Sequence, residues 1–203
     1  ITDEQLCESS PSNAFGFQLT AIASTGNDLV KLFDSPGDDT LTAKPDNISI
    51  SGPGYAHSAQ SFDVLVARSL NGNDTANLFG TADADALTGR GGVAVMSGTG
   101  FQFQLDSFET VSANGLGGSD LVRFLGSAGN DQVVASPTAA SFVSQGFSID
   151  TVSFERLIAI AGSGANDLAI LTDSAGDDLF AGNFTSGELA GTGFFERTIN
   201  FDT

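Results

Sequence analysis

Residues 126–135 read GSAGNDQVVA, a glycine-rich turn, a carboxylate and a β-branched pair within ten positions. Related wordings recur at Asp34–Ala43 (DSPGDDTLTA), Gly80–Gly89 (GTADADALTG) and Asp173–Gly182 (DSAGDDLFAG). Outward from this stretch the whole chain repeats. Asp28, Asp74, Asp120 and Asp167 follow one another at 46, 46 and 47 residues, after GN, GN, GS and AN. Phe15, Phe62, Phe108, Phe154 and Phe201 keep steps of 47, 46, 46 and 47, and Tyr55, Phe101, Phe147 and Phe194, each just after a glycine, keep 46, 46 and 47. Agreement of three separate columns identifies a repeat architecture, in which each unit buries its apolar face against its neighbours.

A finer spacing lies inside the repeat. Asp39, Asp63, Asp85, Glu109, Asp131, Glu155, Asp178 and Asp202 are separated by 24, 22, 24, 22, 24, 23 and 24 residues. Two positions after the first seven stand Leu41, Leu65, Leu87, Val111, Val133, Leu157 and Phe180; four positions after stand Ala43, Ala67, Gly89, Ala113, Ala135, Ala159 and Gly182. Offsets of two and four select one face of a strand, because successive strand side chains alternate. The seven large residues are therefore expected to form one internal ladder, with the small column where the interior narrows. No segment sustains a 3.6 period, and Gly, Asn and Asp interrupt every candidate helix. The expectation is an all-β parallel β-solenoid with about 23 residues per coil, in four 46-residue repeats. Eight such coils at ~4.8 Å would make a core roughly 38 Å long. Residues 15–203 form this single repeat domain, and residues 1–14 an extension placed to clasp a neighbouring subunit.

Composition narrows the function. Seven Lys and Arg against 25 Asp and Glu leave a net charge of −18. Such a surface repels nucleic acid and anionic lipid, both of which need basic patches, and attracts cations. Seventeen Phe and 40% apolar residues argue against disorder. Cys7 is the single cysteine and closes no internal disulfide. No apolar run approaches the length that spans a bilayer. The chain opens on Ile1 rather than Met, which predicts processing or excision from a longer precursor. Asn47, Asn73 and Asn183 match the glycosylation tripeptide, although turn chemistry explains them equally well.

Carboxylates stacked one strand apart repel each other by roughly 1 kcal/mol in water and about 3.5 kcal/mol at an effective dielectric of 20. A hard cation between turns would remove that strain, and calcium prefers several oxygen ligands, backbone carbonyls included. The turn Gly126–Val133 resembles the repeats-in-toxin nonapeptide Gly-Gly-x-Gly-x-Asp-x-apolar-x, with Ser127 in place of the second glycine; Asp173–Phe180 departs from it at the first two positions. The resemblance implies calcium held by an Asp column and turn carbonyls in a secreted β-roll. Nonapeptides of that family run in tandem, whereas these turns lie within longer coils. As a whole, Phe15–Asp202 is similar to the long 46-residue repeats of bacterial secreted and surface proteins. The candidate ligands are Asp39, Asp85, Asp131 and Asp178, followed by Asp28, Asp74, Asp120 and Asp167. The alternative is pure turn chemistry, since Asp and Asn side chains bond nearby amides and tolerate left-handed backbone.

No catalytic constellation stands out. His57 and Tyr55 are the only histidine and tyrosine. Tyr55 belongs to an aromatic column and reads as packing, and His57 is expected on a loop surface. Regular repetition of the carboxylates argues against one specialised acid–base pair, and Ser35 and Ser174 have no partner base. The chain is thus expected to be no enzyme. The reading is an extracellular structural repeat protein that forms or decorates a surface filament, sheath or matrix. It would polymerise head to tail with itself, without nucleic acid or membrane insertion. The alternatives are an adhesin or carbohydrate-binding module, with a surface polysaccharide as partner, or a non-catalytic repeat module of an exported enzyme. A filament needs apolar, complementary ends; an adhesin needs an aromatic or polar patch on one side wall.

Overall fold

A computed structural model describes residues 16–202 and the pair Leu6–Cys7; apart from that pair, the expected extension 1–14 lies outside the described residues, as does Phe15. Strands β1 (Leu6–Cys7) and β2 (Phe17–Ile22) come first. The first repeat supplies β3 (Leu29–Phe33), β4 (Thr40–Lys44), β5 (Asn47–Gly52), β6 (Tyr55–Gln60) and β7 (Val64–Arg68). The second supplies β8 (Thr75–Phe79), β9 (Ala86–Arg90), β10 (Val93–Gly98), β11 (Phe101–Asp106) and β12 (Thr110–Asn114). The third supplies β13 (Leu121–Leu125), β14 (Gln132–Ser136), β15 (Ala139–Ser144), β16 (Phe147–Val152) and β17 (Arg156–Ile160). The last supplies β18 (Leu168–Leu171), β19 (Leu179–Gly182), β20 (Ser186–Gly191) and β21 (Phe194–Ile199). Among the described residues, no helix is long and apolar enough to cross a membrane.

The strands form an 11-stranded sheet, β1-β3-β7-β11-β10-β9-β13-β17-β21-β20-β19, and a 10-stranded sheet, β18-β14-β15-β16-β12-β8-β4-β5-β6-β2. Their inner faces enclose one core. In each of the first three repeats the second, third and fourth strands make an antiparallel meander, the first strand pairs in parallel with the fifth of the same repeat, and the fifth pairs in parallel with the fourth strand of the next. Meanders of the first and third repeats lie in the 10-stranded sheet; those of the second and fourth lie in the 11-stranded sheet. Consecutive repeats are thus related by a half-turn as well as by a rise.

The expected β-solenoid is present, but its coil is longer than 23 residues. Parallel partners are 35 residues apart at Leu29 and Val64 and 38 apart at Val64 and Gln102. The stack has about five turns of about 36 residues. The meander is the reason: two extra strands fold back within one sheet before the chain crosses to the other. Its turns show why glycine precedes the aromatic column. Gly54, Gly100, Gly146 and Gly193 have φ of +82°, +79°, +70° and +81°, in the left-handed region that a Cβ disfavours. Each meander ends at Ser61, Ser107, Ser153 or Asn200, also left-handed, whose N–H donates to the carbonyl of Asp46, Gly92, Thr138 or Thr185.

The expected ladder is likewise redistributed. Leu41, Leu65, Leu87, Val111, Val133 and Leu157 are all buried in the common core. They do not stack on one another: Leu65 pairs with Val30 and Phe103, and Leu87 with Met96 and Val122. Phe180 departs further, 66% exposed on the edge strand β19. The column of Phe62, Phe108 and Phe154 does pack on the core, with Phe62 only partly buried. Apart from Gly182, exposed on β19, the small column faces inward, where large side chains reach across from the other sheet. Phe124 stacks on Phe142 at 4.9 Å, and a Cβ on Gly89 would meet Ile149.

Candidate functional site

The carboxylates of the acidic turns serve two structural roles before any ligand is considered. Asp39, Asp85, Asp131 and Asp178 stand just before the second strand of each repeat. Their carboxylates accept hydrogen bonds from the N–H of Ser35, Thr81, Ser127 and Ser174, four residues earlier, and from those residues' hydroxyls. This closes the Gly-rich turn, as Asp does in many turns. Asp74, Asp120 and Asp167 stand just before first strands, and each accepts the N–H of the preceding Asp at 2.8 Å: Asp39, Asp85 and Asp131. Their own N–H groups donate to Glu109, Glu155 and Asp202. Asp28 donates its N–H to Asp63.

The eight-member column expected from the 23-residue spacing is therefore broken into short runs: the pair Asp28–Asp63 and three runs of three, Asp39–Asp74–Glu109, Asp85–Asp120–Glu155 and Asp131–Asp167–Asp202. Of the eight candidate ligands, the fold joins Asp39 with Asp74, Asp85 with Asp120, and Asp131 with Asp167. Asp28 and Asp178 lie at opposite ends of the stack.

One run differs from the rest. Asp34 and Asp39 of the first repeat and Asp74, just before β8, all buried, bring one carboxylate oxygen each to within 4.8 Å of the others. Asp34 follows β3; its Oδ1 accepts the Leu70 N–H at 2.8 Å and its own N–H donates to the Arg68 carbonyl. Among the described residues, Asp34 Oδ2, Asp74 Oδ2 and the Tyr55 hydroxyl, all buried, have no hydrogen-bond partner. Burial first, and then the neighbouring Asp39 and Asp34 carboxylates, hold the pKa of that hydroxyl well above the usual phenol range.

The specialisation is legible across the repeats. Where the first repeat has Asp34, the second and third have Gly80 and Gly126, and a Cβ there would meet the carboxylates of Asp85 and Asp131. Accommodating the side chain displaces the neighbour: the Ser35 N to Asp39 distance is 3.1 Å, against 2.6 Å for Thr81 to Asp85 and 2.7 Å for Ser127 to Asp131. Where the first repeat has Tyr55, the others have Phe101, Phe147 and Phe194. Asp34 escaped the sequence reading because its column mixes aspartate and glycine (Asp34, Gly80, Gly126, Asp173), although the departure from glycine at Asp34 and Asp173 was the available signal.

Three ionised carboxylates at such distances repel strongly. At ~4.8 Å and an effective dielectric of 20 each pair costs about 3.5 kcal/mol, so three pairs rival the stability of an ordinary domain. The site therefore takes up either a proton or a cation. Without a cation, burial first and then the charges of Asp74 and Asp39 push the Asp34 carboxyl up to about 7. Burial also raises Asp39. A cation would replace that proton, and the donor set suits one: three carboxylates and a phenol oxygen, with no nitrogen or sulfur, are ligands for a hard divalent ion. The arrangement is thus one that could hold a metal ion.

Two further buried polar groups lie in the core. His57, expected on a loop surface, is only 4% exposed on β6, in edge contact with Phe17 (5.3 Å) and beside Tyr55 (5.0 Å). It shares an inward-facing position with Phe103, Ile149 and Glu196, the third residues of β11, β16 and β21. Glu196 has no partner for either oxygen among the described residues, and burial pushes it up to about 7. His57 and Glu196 are in different repeats and sheets and make no acid–base pair. No protein-family model matches the chain, and neither does any curated protein or solved structure.

Proposed function

We propose that this chain is an extracellular structural repeat protein that builds or decorates a surface filament, sheath or matrix by stacking end on end, with calcium at Asp34, Asp39 and Asp74. The observation that carries the reading is where the exposed aromatics lie. The strongly exposed phenylalanines among the described residues are Phe17, at 56%, Phe180, at 66%, and Phe184, at 98%. Phe17 is on the edge strand β2, Phe180 on the edge strand β19 and Phe184 in the loop after it, so all three are at the ends of the stack. Among the described residues the side walls carry scattered exposed aliphatics such as Val134 and Ile170, and their outward-facing rings, Phe33, Phe79 and Phe195, are only partly exposed.

Apolar ends favour longitudinal assembly, because open end coils expose unpaired strand edges and core side chains. A carbohydrate-binding wall would place aromatic platforms along a sheet face. Calcium is the cation of choice because it accepts several carboxylates in flexible geometry, whereas magnesium demands a near-ideal octahedron and keeps its waters. The function carries no catalytic step. Sedimentation velocity and negative-stain imaging over a concentration series test it. Elongated particles that lengthen with concentration are the expected result, and a monomer at every concentration, with or without calcium, would overturn it.

A further inference from the structure

We infer that the ends of two copies meet in a half-lap joint, in which β3 of the second copy adds to β19 and β2 of the second copy adds to β18. The inference rests on the end-on stacking proposed above and names its partner surface. The two sheets are offset. Phe124 on β13 packs on Phe142 of β15, and Ile149 on β16 covers Gly89 of β9. Counted outward from these contacts along both sheets, β18 lies opposite β21, which leaves β20 and β19 projecting beyond the 10-stranded sheet. By the same count β2 and β6 project beyond β3 at the other end. Each overhang is two strands deep, so one fills the step of the other.

Strand order agrees in both sheets. Inside the chain, each second strand pairs in parallel with the first strand of the following repeat: β4 with β8, β9 with β13, β14 with β18. The free second strand is β19, and the outermost first strand is β3. First strands in turn pair with fifth strands, as β8 does with β12 and β13 with β17. The free first strand is β18, and β2 holds a fifth-strand place, since it pairs with β6 as β7 does with β11. Stacking therefore continues both sheets in register, with Leu179 opposite Leu29 and Leu168 opposite Gln18. It closes the open groove of about 540 Å³ between β18 and β20, lined by Leu171, Phe180, Phe184, Leu189 and Phe201. The inner faces of β2 and β6, with Phe17 and Leu19, become its other wall. Among the described residues β1, held to β3 by two residue pairs, stands in the way, and it is displaced by the longer β19.

The register has a chemical consequence. Asp178 would donate its N–H to Asp28 of the second copy, as Asp85 does to Asp120. Asp173 and Asp178 would then meet that Asp28 as Asp34 and Asp39 meet Asp74, and Asp28 Oδ2 is already buried without a partner among the described residues. Assembly through this joint brings three carboxylates together and should tighten with calcium.

Sedimentation velocity of the full chain, in calcium chloride and in EDTA, tests the joint with three variants. Phe180→Asp should weaken association at least tenfold, whereas Val134→Asp on the side wall should leave it unchanged. Asp173→Gly should associate while losing the calcium dependence. If Phe180→Asp assembles like the parent chain, or Val134→Asp fails as badly, the joint is wrong although stacking itself survives. If Asp173→Gly keeps the full calcium response, the register is wrong. A parent chain that stays monomeric sinks both the joint and the stacking from which it follows.

Discussion

Replacing Asp34 by glycine, the residue found at the same place in the second and third repeats, isolates the energetics of the buried acidic triad. Asp34 titrates near 3.8 when unperturbed and at about 7 in the fold, where burial and two neighbouring carboxylates oppose its charge. Below pH ~4 both folded and unfolded chains hold the proton, and the group carries no penalty. Between about 4 and 7 the unfolded chain releases a proton that the fold retains, so stability falls as pH rises, and above 7 the loss is complete. The shift corresponds to about 4 kcal/mol at 1.36 kcal/mol per unit. Asp34→Gly removes this penalty. It also gives up the hydrogen bond to Leu70, about 1 kcal/mol since Leu70 is exposed and its amide can be hydrated, and adds roughly 1 kcal/mol of backbone entropy. In EDTA the variant should therefore be about 2 kcal/mol more stable than the parent near pH 8 and about 2 kcal/mol less stable near pH 3. Urea unfolding followed by circular dichroism reads both points. At protein concentrations low enough to keep the chain monomeric, calcium at a hundredfold excess over its Kd should stabilise the parent by about 2.7 kcal/mol and the variant not at all. A stability difference that stays constant from pH 3 to 8, or calcium stabilisation of equal size in both proteins, would refute the electrostatic account of the site.

Other expectations follow from the same packing. Glu196→Leu replaces a buried, unpartnered carboxyl pushed up from 4.5 to about 7; relative to low pH, it should gain about 3 kcal/mol above pH ~7, and a gain independent of pH would contradict the cause given. Val133→Asp puts an uncompensated charge between Phe142 and Ala169 in the core and should cost 3–5 kcal/mol or more, seen as loss of the folded circular dichroism signal near room temperature. Gly98→Ala would set a methyl on the Asp85 carboxylate and the Phe101 ring. It should cost more than Gly100→Ala, where only the left-handed backbone resists, by about 1–2 kcal/mol; equal thermal shifts would show that Asp85 moves aside freely.

The sequence alone determined the 46-residue repeat, the strand character of its segments and most of the side chains that face the core, Phe180 (exposed) and His57 (buried) being the exceptions. These are local properties: alternation along a strand puts Leu41 and Ala43 on one face wherever that strand lies, and a left-handed turn requires glycine before Tyr55 wherever the turn packs. The tertiary structure decided which strands are neighbours. Leu41 and Leu65 carry the same local pattern, yet one is on β4 and the other on β7, in opposite sheets. A hydrophobic period specifies burial, not the partner across the hydrogen bonds, so a sequence period of about 23 residues was compatible with a coil of about 36. The meander set the coil length, because two strands that fold back antiparallel lengthen the path without changing the side-chain pattern. The same holds for the acidic triad. Asp39 was legible as a periodic carboxylate, and Asp34, like Asp173, as an aspartate where the second and third repeats have glycine. Their meeting with Asp74, 35 residues beyond Asp39, depends on how far the chain travels before it returns to the same edge, and only the paired sheets fix that distance.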